Sequence, residues 1–142
     1  MSILIAYVTK GGAAKECAEA LAEAIGGCTL CDLDAGSPDI SGFDTVILGT
    51  GVRIGSVYKP YKKFVDANLS QLLKKKVALF FCCIMLKDFE KMVTKNVPAE
   101  LRSAAFRVSA LGGKPVFGGK KNNTWMLRDE VAAFADAAKG LK

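Results

Sequence analysis

Five apolar runs of strand length, separated by helical patterns or polar breaks, restrict this chain to very few folds. The runs cover residues 3–9, 28–33, 45–49, 77–84 and 106–111. The first is near-continuous rather than alternating, the mark of a strand covered on both faces, and all five read as buried strands. Between them lie amphipathic segments. Ala14, Cys17, Ala18, Leu21 and Ile25 recur at helical spacing, with Lys15, Glu16, Glu19 and Glu23 on the other side. Gly26-Gly27 ends that helix. Tyr61, Phe64, Val65, Leu69 and Leu72 mark a second helix. A third starts over 86–92, breaks near Pro98 and resumes towards Arg102. A last one spans 125–138, with Met126, Val131, Phe134, Ala135 and Ala138 inward. Residues 34–42, 50–57 and 112–123 read as loops. Strands alternating with helices predict a doubly wound α/β fold: a five-stranded parallel sheet with helices on both faces.

Composition narrows the class. A chain of 142 residues fits one domain spanning residues 1–142. The longest apolar run, 77–86, is far short of the roughly 20 residues a spanning helix needs. No basic flank precedes the first run, so it does not read as a signal peptide, and a soluble, cytoplasmic protein with no membrane span is expected. Histidine is absent. That excludes serine–histidine triads, the usual zinc sites and haem ligation by imidazole. Cys28 and Cys31 form a C-x-x-C, but on a strand residues three apart point to opposite faces. With Cys17 they read as small core residues, and no metal site is expected. Cys82 and Cys83 are adjacent on a strand, so only one can face a ligand, and buried structural thiols are the favoured reading.

In an open parallel sheet, ligands bind beyond the carboxyl ends of the strands, where strand order reverses. The segments to examine are therefore 9–14, 50–58, 83–89 and 112–123. At Thr9-Lys10-Gly11-Gly12-Ala13-Ala14 the chain passes from strand to helix. The first helical N–H groups lack partners there and the helix dipole adds positive potential. Two glycines let a bound group approach closely, and Thr9 offers a hydroxyl. An anion cradle and a merely tight turn are both open on this stretch alone. It is neither a Walker A loop nor G-x-G-x-x-G.

Tyr7-Val-Thr-Lys-Gly-Gly-Ala resembles the phosphate loop of flavodoxins, a T-x-x-G-[NQ]-[TS] pattern after the first strand. Phe43-Asp-Thr-Val-Ile-Leu-Gly-Thr-Gly-Val-Arg-Ile-Gly55 is similar to a stretch of the flavodoxin-type protoporphyrinogen oxidases and related short flavodoxin-domain proteins. The resemblance implies strand order 2-1-3-4-5 and a site for flavin mononucleotide (FMN). It implies that Thr9, Lys10, Gly11, Gly12, Ala13 and Ala14 hold the phosphate. Thr50, Gly51, Val52, Arg53, Ile54 and Gly55 would flank one side of the isoalloxazine ring, with Cys83, Ile84, Met85 and Leu86 near the other. Ala13 and Ala14 depart from the family pattern and remove two side-chain bonds to phosphate, each worth roughly 1.5–3 kcal/mol to a charged group. Ile54 stands where an aromatic often stacks on the flavin. Main-chain donors survive these changes.

The implied function is an FMN-binding redox protein that carries electrons. The alternatives are an FMN-dependent oxidoreductase acting on an anionic small substrate, in the manner of protoporphyrinogen oxidase, and a flavin-free interaction module. Net charge is +6, and Lys10, Arg53, Lys59, Lys87, Lys114, Lys120 and Lys121 fall in or beside the ligand-edge loops with few acids to offset them. Such a rim favours an acidic redox partner protein or an anionic substrate. Lys74–Lys76 read as a solvated turn at the far edge. No nucleic-acid motif or aromatic interleaving accompanies the lysines, so no nucleic-acid partner is expected.

Overall fold

Strand β1 (Ile3–Val8) is buried along its whole length and occupies the second position of the sheet. The computed structural model describes residues 2–53, 55–83, 86–113 and 125–140. After β1 come α1 (Ala13–Ile25), β2 (Cys28–Asp32), β3 (Thr45–Arg53), the two-residue β4 (Ser56–Val57) and α2 (Lys59–Leu72). Then follow β5 (Lys76–Cys82), a 3-10 turn (Leu86–Asp88), α3 (Phe89–Asn96), α4 (Ala99–Ala104), β6 (Arg107–Ala110) and α5 (Arg128–Lys139). The sheet order is β2-β1-β3-β5-β6, and every neighbouring pair in that path is parallel. Without β4, which only pairs antiparallel with the end of β3, this is the expected 2-1-3-4-5 order.

Alternation along β1 builds two cores. Leu4, Ala6 and Val8 face one side, packing with Tyr61, Phe64, Val65, Met92 and Leu101 of α2, α3 and α4. Ile3, Ile5 and Tyr7 face the other, with Cys17 and Leu21 of α1 and Phe134 of α5. A period of two along the strand and helical periodicity on both layers produce this arrangement directly. Each fully buried large apolar side chain contributes about 1.5–3 kcal/mol.

The third strand is longer than the sequence predicts. Residues 50–53 were expected in a loop, yet Thr50 and Gly51 pair with Phe81 and Cys82, and Val52 and Arg53 pair back onto β4. The glycines that suggest a turn serve close approach instead. The Phe80 ring fills the space where a Cβ on Gly49 would sit. A Cβ on Gly51 would come 3.0 Å from Cε2 of Tyr58. Register holds β1 level with β3 up to the pair Val8 and Thr50.

Other boundaries shift less. β5 begins at Lys76 and ends at Cys82. The third helical segment does break at Val97 and Pro98, into α3 and α4. The last helix starts at Arg128, because Met126 forms a bridge with Gly112 instead. Most of the 112–123 segment lies outside the described residues. Cys28 and Cys31 pack against opposite cores. Lys75 is more than a solvated charge, since its Nζ donates to the Phe43 carbonyl at 2.6 Å.

Candidate functional site

Strand order reverses between β1 and β3. From β1 the chain steps outward to β2 and then returns to the opposite side of β1. The loops leaving β1 and β3 therefore diverge and leave a crevice at the carboxyl edge.

The first wall is the 9–14 turn. Gly12 has φ 92°, the left-handed region that glycine adopts without strain. Its N–H donates to Thr9 Oγ1 at 2.9 Å, which leaves the threonine hydroxyl proton available. The N–H of Glu16 closes the first turn of α1 onto the Gly12 carbonyl at 3.0 Å. The N–H groups of Ala13, Ala14 and Lys15 have no acceptor within the helix, and among the described residues no side chain caps it. Gly11 is exposed, and a Cβ there would meet nothing within 4 Å, so the outer side of the turn is open. Ala14 is buried in the core beneath α1, so it can offer only its N–H. This donor set, at the positive end of a 13-residue helix, fits a phosphate monoester.

Lys10 leans across the crevice. Its Nζ lies 3.4 Å from the Asp34 carboxylate and 5.8 Å from the centroid of the Tyr58 ring. The two walls thus meet through one side chain. Asp34 offsets a charge that the sequence left unopposed. A cleft of about 450 Å³ opens nearby, lined by Asp34, Gly36, Lys59, Pro60 and Phe64 among others. None of the described residues of 9–14 and 50–55 lines it, so it is separate from the crevice.

The second wall is the end of β3 and the hairpin to β4. Thr50 is fully buried and its hydroxyl donates to the Gly51 carbonyl at 2.8 Å, so little but its backbone is available. Val52 is half-buried and Arg53 exposed. Gly55, exposed at φ 72°, makes the turn. Ile54 lies outside the described residues. The hairpin is gripped from below by Asn96, which is only 8% exposed. Asn96 Nδ2 donates to the carbonyls of Gly55 at 2.9 Å and Met92 at 2.8 Å, while its Oδ1 accepts from the Val57 N–H at 3.5 Å.

The third segment follows β5. Cys83 is buried, and burial raises its thiol pKa. Ile84 and Met85 lie outside the described residues. Cys82 turns into the core, its Sγ 3.5 Å from Cys17 Sγ, and the Cys17 Sγ in turn lies 4.0 Å from the Leu111 carbonyl. The bond to Cys17 and then burial raise the Cys82 thiol pKa, so it stays protonated.

Asn96 was not singled out from the sequence, and Tyr58 was read there only as part of a stretch similar in spacing to the family, not as a site residue. Tyr58 closes the 50–58 segment, and an aromatic just before a helix was the available signal. Asn96 interrupts the apolar stripe Met92, Val93, Val97, where a polar residue must find buried partners. Of the basic rim, Lys10, Arg53, Lys59 and Lys87 are exposed, and Lys114, Lys120 and Lys121 lie outside the described residues.

A doubly wound sheet with an uncapped helix start at its switch point defines a class of nucleotide-type cofactor folds. Residues 4–118 match the family model described as flavodoxin domain, and the chain belongs to that family. Oxidised flavodoxin 1 from Bacillus cereus superposes with a TM-score of 0.69 at 18% identity, covering 100% of both chains. The WrbA-like flavodoxin from Agrobacterium tumefaciens gives 0.58 at 21% identity, again covering 100% of both. A flavodoxin from Fusobacterium nucleatum, bound to FMN, gives 0.62 at 13% identity over 98% of this chain and 97% of that one. At such identities the likeness establishes the shared fold. No curated protein matches the chain. The narrower resemblance to flavodoxin-type protoporphyrinogen oxidases finds no support in these comparisons.

Proposed function

We propose that this chain binds FMN in the crevice between the 9–14 turn and the β3–β4 hairpin, and exchanges electrons with a partner protein. The observation that carries this reading is the open, uncapped start of α1 at the switch point, with Lys10 reaching from it to Tyr58 on the opposite wall. Thr9, Lys10, Gly11, Gly12, Ala13 and Ala14 would hold the phosphate. Most of that grip would come from main-chain N–H groups and the Thr9 hydroxyl, since position 13 and position 14 carry no donor side chain. Thr50, Gly51, Val52, Arg53, Ile54 and Gly55 would line one side of the ring, and Cys83, Ile84 and Met85 the other. Tyr58 joins them as a half-buried aromatic at the mouth.

Bound FMN supplies one- and two-electron chemistry, and the protein supplies binding, orientation and electrostatics. The Gly51 carbonyl already accepts from Thr50 and keeps a second lone pair. Lys10 brings a cation to the phosphate side, and Arg53, exposed on the hairpin, brings one to the ring side. The exposed cations Lys10, Arg53, Lys59 and Lys87 suit an acidic partner. The whole chain is proposed as one such unit, with α1 packed against α5. Among the described residues no helix is long and apolar enough to cross a membrane.

Titration of the purified protein with FMN tests the reading. Quenching of flavin fluorescence with a micromolar or tighter Kd is expected. A protein that leaves the fluorescence of FMN unchanged at tens of micromolar overturns it.

A further inference from the structure

We propose that Asn96 is a positioning residue that fixes the hairpin wall of the crevice, and so sets affinity for the flavin ring rather than for its phosphate. This rests on the FMN reading above.

A two-residue strand such as β4 has little stability of its own. Val57 contributes an apolar anchor, being buried in the core of the α2–α4 face. The turn itself needs a polar partner, because Gly55 presents its carbonyl and Val57 its N–H away from β3. Among the described residues, Asn96 supplies the side-chain bonds to both. A primary amide is suited to this, offering two N–H donors on one atom and an acceptor on the other. One N–H of Asn96 ties down its own helix through Met92, and the second reaches Gly55, 41 positions earlier in the chain.

The consequence is mechanical. Helix α3 ends at Asn96 and begins at Phe89, directly after the 3-10 turn that follows β5. The segment after β5 and the β3–β4 hairpin were placed on opposite sides of the ring. Through α3, this buried side chain links the hairpin to the 3-10 turn at Leu86–Asp88. Among the described residues, the bonds of the Asn96 side chain go to Gly55, Val57 and Met92, and none goes to the 9–14 turn. Loss of the amide should therefore loosen the ring walls and leave the phosphate turn intact.

The experiment compares FMN with riboflavin, which has the same ring and no phosphate. In Asn96→Leu, affinities for both should fall together, by about tenfold, with their ratio held within about twofold. Limited trypsin digestion supplies a readout that does not depend on flavin. Cleavage after the exposed Arg53 should speed up by about tenfold, while cleavage after Lys10 stays unchanged. Where Asn96→Leu does not fold, as judged by circular dichroism, Asn96→Asp replaces it. Asp keeps the acceptor for Val57 but loses the donors to Gly55 and Met92, so the same shifts are expected. Unchanged ring affinity and unchanged cleavage in a folded variant overturn the proposal. So does a loss confined to FMN, which would place the effect at the phosphate. If the parent binds neither flavin, the FMN reading fails by itself. The positioning role is then judged by Arg53 cleavage alone: faster cleavage upholds it, and unchanged cleavage rejects it.

Discussion

The two walls of the crevice are held by opposite means. The 9–14 turn depends on main chain, with Gly12 in the left-handed region and a single side-chain bond from Gly12 to Thr9. The hairpin opposite depends on a buried side chain from another element, Asn96. The difference separates two tasks. A turn whose N–H groups have no internal partners is left with binding capacity, because each unpaired donor gains by finding an acceptor. On the hairpin, the Gly55 carbonyl and the Val57 N–H are already bonded to Asn96 and gain little from a ligand's polar atoms, so that turn serves as a fixed surface. One wall recruits and the other shapes.

The largest expected break in this contrast is Gly12→Glu. A side chain at φ 92° is strained, and a carboxylate at a helix start repels a phosphate. FMN affinity should fall by about a hundredfold or more, and riboflavin affinity by much less, as read by fluorescence titration. Equal losses for the two would mean that the turn does not meet the phosphate.

Thr9→Val is milder. It deletes the acceptor for the Gly12 N–H and the free hydroxyl donor, while keeping volume. A stability loss of about 1 kcal/mol in urea denaturation is expected, with an FMN-selective loss of roughly fivefold. This FMN-selective loss contrasts with the equal loss of FMN and riboflavin expected for Asn96→Leu, so the pair of variants sharpens the division between walls.

Lys10→Met should matter less still. The pair with Asp34 is exposed, at 56% and 42% for the two side chains, and exposed pairs contribute about 0–1 kcal/mol. Stability should barely move. The rate of electron transfer from an acidic donor should fall at low ionic strength and recover parity at high salt, in stopped-flow measurements. Salt-independent rates in both proteins would reduce the rim to solvated surface.

Tyr61→Phe is the smallest expected change and acts as a control beneath both walls. The Tyr61 hydroxyl is buried with no hydrogen-bond partner among the described residues. Its removal should be neutral or stabilising by up to about 1 kcal/mol. Burial raises the phenol pKa above its ordinary range. The unfolded chain therefore deprotonates first, and the part of the penalty that comes from ionisation is absent below about pH 10 and grows above it. Alkaline denaturation should thus be shallower in Tyr61→Phe than in the parent.

The fold was legible because the apolar runs contrast sharply with the segments between them, and a parallel sheet tolerates little polarity in its strands. The extent of β3 was not legible, since glycine carries two meanings. Gly12 and Gly55 turn the chain, whereas Gly49 and Gly51 sit in a strand to admit Phe80 and Tyr58. Only the side chain that each glycine meets distinguishes these roles, and for Gly49 that side chain is Phe80 on the neighbouring strand β5. The 9–14 turn could be read as a candidate because strand, glycines and helix are contiguous. Asn96 could not, because its bonds to Gly55 and Val57 span 41 and 39 positions.

The length of β3 also sets a height. β1 has six residues and β3 has nine, and their shared register ends at Val8 and Thr50. Three further residues, Gly51 to Arg53, rise past the end of the neighbouring strand. At about 3.3 Å per residue they form an overhang of roughly 10 Å above the floor at Thr9. The depth available to a flat guest is therefore counted in strand residues, not carved by loops. A one-residue slip of β3 against β1 would lower the parapet by about 3.3 Å and turn its side chains to the opposite face.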